Sequence, residues 1–145
     1  MNYFEYENFR GLPEIVLLAL TIYSEARGEP VEGQLAVAHV VFNRVERGGW
    51  WGDTIADVVL SPHQFSGFKK GGFLESWLGA IGLSGVMRRE EYGDCELIAG
   101  LALEGLTKDP TEGATNFHAV WMEEPPDWAL EMERLCQIGE HVFYK

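Results

Sequence analysis

Positive charge is scarce in this chain. Eleven Lys and Arg face twenty-three Asp and Glu, which leaves a net charge of -12 over 145 residues. Phosphate recognition needs a Lys/Arg surface, so this balance argues against nucleic acid as a partner. It argues equally against electrostatic attachment to anionic lipid. Cysteine is scarce too: Cys95 and Cys136 stand far apart, in neither a metal-ligand nor a redox spacing, and read as buried free thiols. Long apolar runs are missing. The longest, residues 15–23, is too short to span a bilayer and lacks the flanks of a signal peptide. Membrane insertion is therefore not expected, and synthesis in the cytoplasm is. No His pair at helical ligand spacing, no Gly-x-Ser-x-Gly elbow and no Gly-rich phosphate loop is present. A metal site, a serine nucleophile and a nucleotide cofactor all lack their usual signatures.

The chain does have five Trp, five Tyr and eight Phe, enough for a core and for the aromatic faces that hold sugars. The length fits one domain, residues 1–145, with residues 1–12 as an extension. Pro13 and Glu14 suit the first turn of a helix. Residues 15–26 then continue apolar on nearly every face, the pattern of a buried central helix, until Gly28 and Pro30 stop it. A second helix is expected over 32–47, ended by Gly48 and Gly49. A turn follows at Trp50, Trp51 and Gly52. Asp53 or Thr54 caps a short helix reaching Leu60. Residues 61–72 read as a loop, 73–83 as a short helix, and Asp94 as the cap of a helix over 95–106. Residues 109–115 are turn-rich and 116–121 suit a strand. Asp127 reads as the cap of a helix over 128–135. After Gly139, residues 141–144 can pair with 116–120 in a small sheet. The fold class is α+β, mainly helical, with a minor β element.

Three segments could carry chemistry. In Tyr23-Ser24-Glu25-Ala26-Arg27-Gly28-Glu29, Glu25 falls in the last turn of the buried helix. The negative end of the helix dipole and partial desolvation both oppose ionisation there. A Glu so placed either stays protonated, as an acid for glycosidic cleavage must, or pairs with Arg27 as an ordinary surface carboxylate. Pro62-His63-Gln64-Phe65-Ser66-Gly67-Phe68 mixes amide, hydroxyl and aromatic groups and reads either as a sugar-binding wall or as a packed turn. Thr115-Asn116-Phe117-His118, with Trp121 close by, could reach a cleft from a strand.

The residues also resemble a known family. Leu20-Thr21-Ile22-Tyr23-Ser24-Glu25-Ala26-Arg27-Gly28-Glu29-Pro30, then Glu32-Gly33-Gln34-Leu35-Ala36-Val37-Ala38 and Val41-Phe42-Asn43-Arg44-Val45, closely resembles the spore cortex-lytic enzyme, or cell wall hydrolase, family. Gln64-Phe65-Ser66, Ala114-Thr115-Asn116-Phe117-His118, Trp128 after Pro126, and Ile138-Gly139 with His141, Phe143 and Tyr144 extend the similarity. The resemblance implies a lysozyme-like catalytic domain acting on peptidoglycan, with Glu25 as the catalytic acid; from the His spacing, no metal or other cofactor is expected. It further implies a lytic transglycosylase that cuts between N-acetylmuramic acid and N-acetylglucosamine and leaves a 1,6-anhydro end.

Gln64, Ser66, Asn116 and His118 are the expected sugar-orienting groups, Tyr23, Phe65 and Phe117 the expected apolar walls, and Glu29 a further substrate contact. A muramidase would need a second carboxylate, for which Glu29, Asp53 and Asp57 are candidates. A zinc amidase would draw on His39, His63, His118 and His141, and a non-catalytic wall-binding module is the remaining rival. Without an export signal or a separate wall-binding region, the chain is expected to be a monomeric bacteriophage endolysin. It would be made in the host cytoplasm and reach the wall once the membrane is permeabilised.

Overall fold

The computed structural model describes residues 9–61, 64–68 and 71–145. Among the described residues, five helices and a three-stranded sheet form: α1 (Glu14–Ala26), α2 (Val31–Arg47), α3 (Ile55–Val59), α4 (Phe73–Met87), α5 (Glu90–Leu103), β1 (Asn116–Ala119), β2 (Arg134–Ile138) and β3 (His141–Tyr144). Short 3-10 turns occupy Gly49–Trp51, Ser66–Phe68 and Asp127–Leu130.

The all-round apolar pattern of α1 does place it at the centre. Val16, Leu17, Leu18, Ala19, Leu20, Ile22 and Tyr23 are all buried, and the helix packs against α5, α2 and α3. Its C-terminal carbonyls would otherwise be orphaned. Gln34 of α2 answers this by donating Nε2 to the carbonyls of Ala26 at 3.3 Å and Glu29 at 3.4 Å. Gln34 thereby fixes the end of the helix that carries Glu25.

Thr54 is the cap of α3, its hydroxyl accepting from the Asp57 amide at 3.1 Å. The helix expected over 73–83 runs on to Met87 through a kink at Gly82 (φ 72°), a conformation open to glycine. α5 begins at Glu90, well before the expected 95, so Asp94 lies inside the helix and caps nothing. Glu90 and Glu91 supply the negative charge its first turn favours. α5 ends three residues earlier than expected, at Leu103: the amides of Gly105 and Leu106 turn back onto the carbonyls of Ala102 and Leu101 in a Schellman closure.

Strand β3 lies between β1 and β2, antiparallel to both. The expected pairing of 116–120 with 141–144 forms, with Phe117 opposite Phe143 and His118 opposite Val142. The expected helix over 128–135 does not. Asp127 opens only a 3-10 turn, and Arg134–Ile138 is a strand joined to β3 through Gly139 and Glu140. The two-residue connection needs a positive φ at its first position, and Gly139 supplies it at 55°. Cys95 is buried as expected, whereas Cys136 on β2 is half-buried; both are free thiols. Among the described residues, no helix is long and apolar enough to cross a membrane.

Candidate active site

A cleft of about 480 Å³ opens where the C-terminal end of α1 meets the sheet. This is an ordinary size for a ligand site, which is typically about 300–1,000 Å³. Ser24, Glu25, Arg27 and Glu29 form one side, and Ala119, Trp121, Glu140 and His141 form the other.

Glu25 is the penultimate residue of α1. Burial pushes its carboxyl up from 4.5 to about 7, and the positive charge of Arg44 acts in the opposite direction without overcoming it. Close to neutrality this group can therefore hold a proton and still open onto the cleft. Burial follows from the helix position alone. The opposing cation does not, because Arg44 is nineteen residues further along the chain and arrives only through the packing of α2 on α1.

Glu29 has a mechanical role. Its Oε1 accepts the amide of Glu140 at 2.9 Å and lies 3.4 Å from Nδ1 of His141. The end of α1 is thus tied to the turn of the β2–β3 hairpin, and the two walls of the cleft are held at a fixed separation. Gly139 leaves the room for this: a Cβ there would fall 2.6 Å from Oε2 of Glu29. Burial lowers the pKa of His141, and the charge of Glu29 counters it only in part.

The segment 64–68 lies against α1 next to Glu25. A Cβ on Gly67 would meet Oγ of Ser24 at 2.5 Å and its Cβ at 2.6 Å, so only glycine permits this approach. Gln64 is half-buried and Ser66 exposed, and neither lines the cleft. Phe65 is 1 % exposed and belongs to the core, as does Tyr23 at 0 %, whose ring meets Tyr92 edge-on at 6.3 Å. Neither ring is available as a sugar wall. Aromatic bulk on a buried helix and under a loop satisfies packing first. Pro62 and His63 lie outside the described residues.

On β1, Asn116 accepts from the Thr115 hydroxyl at 3.0 Å. Phe117 packs between His141 and Phe143, with centroids 5.0 and 5.6 Å away. His118 places Nδ1 2.9 Å from the Ala119 carbonyl and Nε2 2.9 Å from the Tyr144 hydroxyl. These three support the sheet and do not line the cleft. Of the eight residues expected to bind substrate, Glu29 alone among the described residues is in the cleft wall.

The wall contains residues that sequence reasoning does not single out as sugar contacts. Trp121, 72 % exposed at the lip, is a free aromatic face. Glu140 adds a third carboxylate to the cleft, beside Glu25 and Glu29. Its position on a two-residue hairpin turn is hidden by the helix expected over 128–135. Asp53 and Asp57 are elsewhere; Asp57 pairs with Arg10 at 2.9 Å, and this bond holds its pKa down.

His39 sits 2.8 Å from the Thr107 hydroxyl, apart from His118 and His141. Among the described residues no three His, Cys, Asp or Glu side chains converge as a metal site would require.

Arg44 and Asn43 anchor the opposite end of the sheet. Asn43 donates Nδ2 to Asp109 at 2.8 Å and to the Ala114 carbonyl at 2.9 Å. Asp109 also receives the amides of Thr111 at 2.8 Å and Gly113 at 2.9 Å. Burial pushes the carboxyl of Asp109 up, but these hydrogen bonds together bring it below its ordinary value. The loop entering β1 is thereby locked to α2.

Comparison with known proteins agrees with this architecture. The profile of the cell wall hydrolase family matches residues 28–144. The spore cortex-lytic enzyme of Oceanobacillus iheyensis is 42% identical over 138 residues, covering 91% of this chain and 41% of that protein. That of Bacillus subtilis is 41% identical over 130 residues, covering 90% of this chain and 37% of its own length. The chain thus spans about two fifths of these curated relatives. Among solved structures, the catalytic domain of the Bacillus cereus SleB protein superposes with a TM-score of 0.65 at 30% identity, covering 91% of this chain and 89% of that domain. The catalytic domain of the germination-specific lytic transglycosylase SleB from Bacillus anthracis gives the same TM-score at 28% identity, with 93% and 98% covered. The helical frame, the small sheet and the sequence all agree: this chain belongs to the cell wall hydrolase family.

Proposed function

We propose that this chain is a lytic transglycosylase that cuts peptidoglycan between N-acetylmuramic acid and N-acetylglucosamine, with Glu25 as acid and then base. One observation carries the reading: a carboxyl raised to about 7 by burial faces a cleft large enough for sugar. The Bacillus anthracis domain of the same fold, a germination-specific lytic transglycosylase, supports the same reaction class.

Glu25 gives its proton to the bridging oxygen while the bond from that oxygen to C1 of the muramoyl sugar breaks and positive charge develops on the ring. The C6 hydroxyl of the same sugar then bonds to C1 and returns its proton to the Glu25 carboxylate. Atoms balance without water, and a single carboxyl suffices. Trp121 offers an exposed indole face on which a pyranose ring can stack. Because the free enzyme must hold the proton, kcat/KM should fall as pH rises through about 7.

A muramidase reading also has a structural foothold, because Glu140 lines the cleft and could activate water in the manner of a second carboxylate. Mass spectrometry of fragments from purified wall separates the two. Transglycosylation leaves ends lighter by one water than reducing ends, and reducing ends alone would refute it.

The relatives named above are spore cortex-lytic enzymes, which points to cortex as the wall layer. An endolysin would instead lyse vegetative cells whose membrane has been permeabilised. Digestion of cortex and of vegetative wall side by side tests which material is cut faster.

A further inference from the structure

Arg44 is an unusual residue to find buried inside the fold. It is 4 % exposed, and its guanidinium lies 4.2 Å from the Trp51 ring and 5.0 Å from the Phe65 ring. Nε donates to the Thr115 carbonyl at 2.7 Å. Nη1 is fully buried and has no hydrogen-bond partner among the described residues. No carboxylate forms a salt bridge with it among them either. A buried, incompletely paired cation is costly, and a structural tie to Thr115 needs only the Nε hydrogen bond. The two rings offset part of the charge, and the Nη1 donor is left without an account from packing.

The neighbourhood supplies an explanation. Phe65, which the guanidinium covers, belongs to the segment whose Gly67 is pressed onto Ser24, the residue before Glu25. Among the described residues, Arg44 is the charge whose field acts on Glu25, and Glu25 reciprocally acts on Arg44. Arg27, Glu29, Glu140 and His141 line the same cleft. On α5, which packs on α1, burial raises both Tyr92 and Cys95 and keeps them neutral. The described part of segment 64–68 carries no ionisable group.

We propose that Arg44 is the positioning residue for the second half of the reaction: it stays charged and unpaired while Glu25 is neutral, and it stabilises the Glu25 carboxylate once the proton has been given to the glycosidic oxygen. This rests on the reading of Glu25 as acid and then base. An apolar pocket alone would make Glu25 a weak donor; a cation behind it strengthens the acid without discharging it in the resting enzyme. The opposing pulls match the balance at Glu25, where burial dominates and Arg44 moderates.

The first arm of the test needs no substrate. In the wild-type chain, the ¹⁵N shift of Arg44 Nε should follow pH with the same midpoint as the Glu25 carboxyl, and should be flat in Glu25→Gln. A flat wild-type trace overturns the proposal, whatever the variants do. Arg44→Gln should raise the Glu25 midpoint by about one pH unit, a tenfold change in proton affinity. It should also lower the rate on wall at pH 6 about tenfold while moving the alkaline limb to higher pH. Arg44→Lys keeps the charge but loses the Thr115 bond and the flat stacking face, and should hold the midpoint within a few tenths of wild type. Equal loss in both variants with an unmoved limb would mean a structural role only and overturn the proposal. Should Glu25→Gln digest wall normally while the two titrations remain coupled, the functional reading fails and the electrostatic pairing stands. A dead Glu25→Gln with uncoupled titrations gives the reverse.

Discussion

Replacing Glu25 by Gln should stabilise the protein, and increasingly so as pH rises above 4.5. The folded state holds the Glu25 proton more tightly than the unfolded chain, because burial raises the group from 4.5 to about 7. This contribution to stability is complete below the unfolded value. It is lost progressively as pH rises from 4.5 to about 7, and is fully gone above that. The difference between those two values corresponds to about 3 kcal/mol. Gln cannot ionise and escapes the loss. Against wild type, Glu25→Gln should gain little at pH 4, about 2 kcal/mol more at pH 6 and about 3 kcal/mol more at pH 8.5. A constant offset from lost or gained amide hydrogen bonds is the same at every pH, so the slope of the difference is the readout. Urea unfolding of both proteins at the three pH values measures it. A difference that stays flat across the series would refute the claim that the fold strains against a charged Glu25.

Three further substitutions test the frame around the acid. Gly67→Ala puts a methyl into Ser24 and should displace the 64–68 segment, costing about 1–3 kcal/mol and most of the wall-digesting activity. Adding Ser24→Gly should return much of both, as a double-mutant cycle would show. Gly139→Ala collides with Oε2 of Glu29 and strains a backbone at φ 55°; it should cost about 1–3 kcal/mol and loosen protection of the Glu140 amide in hydrogen exchange. Trp121→Ala should raise KM for glycan fragments several-fold with a small change in kcat, and should abolish the tryptophan fluorescence change on adding chitooligosaccharides.

The central helix, the α2 boundary and the β1–β3 pairing are legible because they rest on local signals: Pro13 and Gly28 as punctuation, apolar residues on every face, and the β-rich run after Gly139. Glu25 is legible for the same reason, since its place in the last turn follows from the helix alone. What escapes depends on contacts across the chain. The run after Asp127 looks like a capped helix, yet residues 134–138 find a better partner in β3, whose free edge they complete. Tyr23 and Phe65 have the chemistry of sugar walls, and burial in the core makes that chemistry unreachable. Glu29 reads as a substrate contact, but its carboxylate is occupied by the hairpin turn 111 residues away. Arg44 sits in plain view inside Phe42-Asn43-Arg44-Val45. No spacing rule relates it to Glu25, because the relation runs through space between two packed helices.

The most direct measurement is the titration of the Glu25 side-chain carboxyl in the intact protein by ¹³C NMR, assigned by its disappearance in Glu25→Gln. A midpoint near 7 is expected, the value at which a buried acid still carries its proton into the cleft. A midpoint near 4.5 would mean a solvated carboxylate that has no proton to give at neutral pH, and would contradict the role assigned to it.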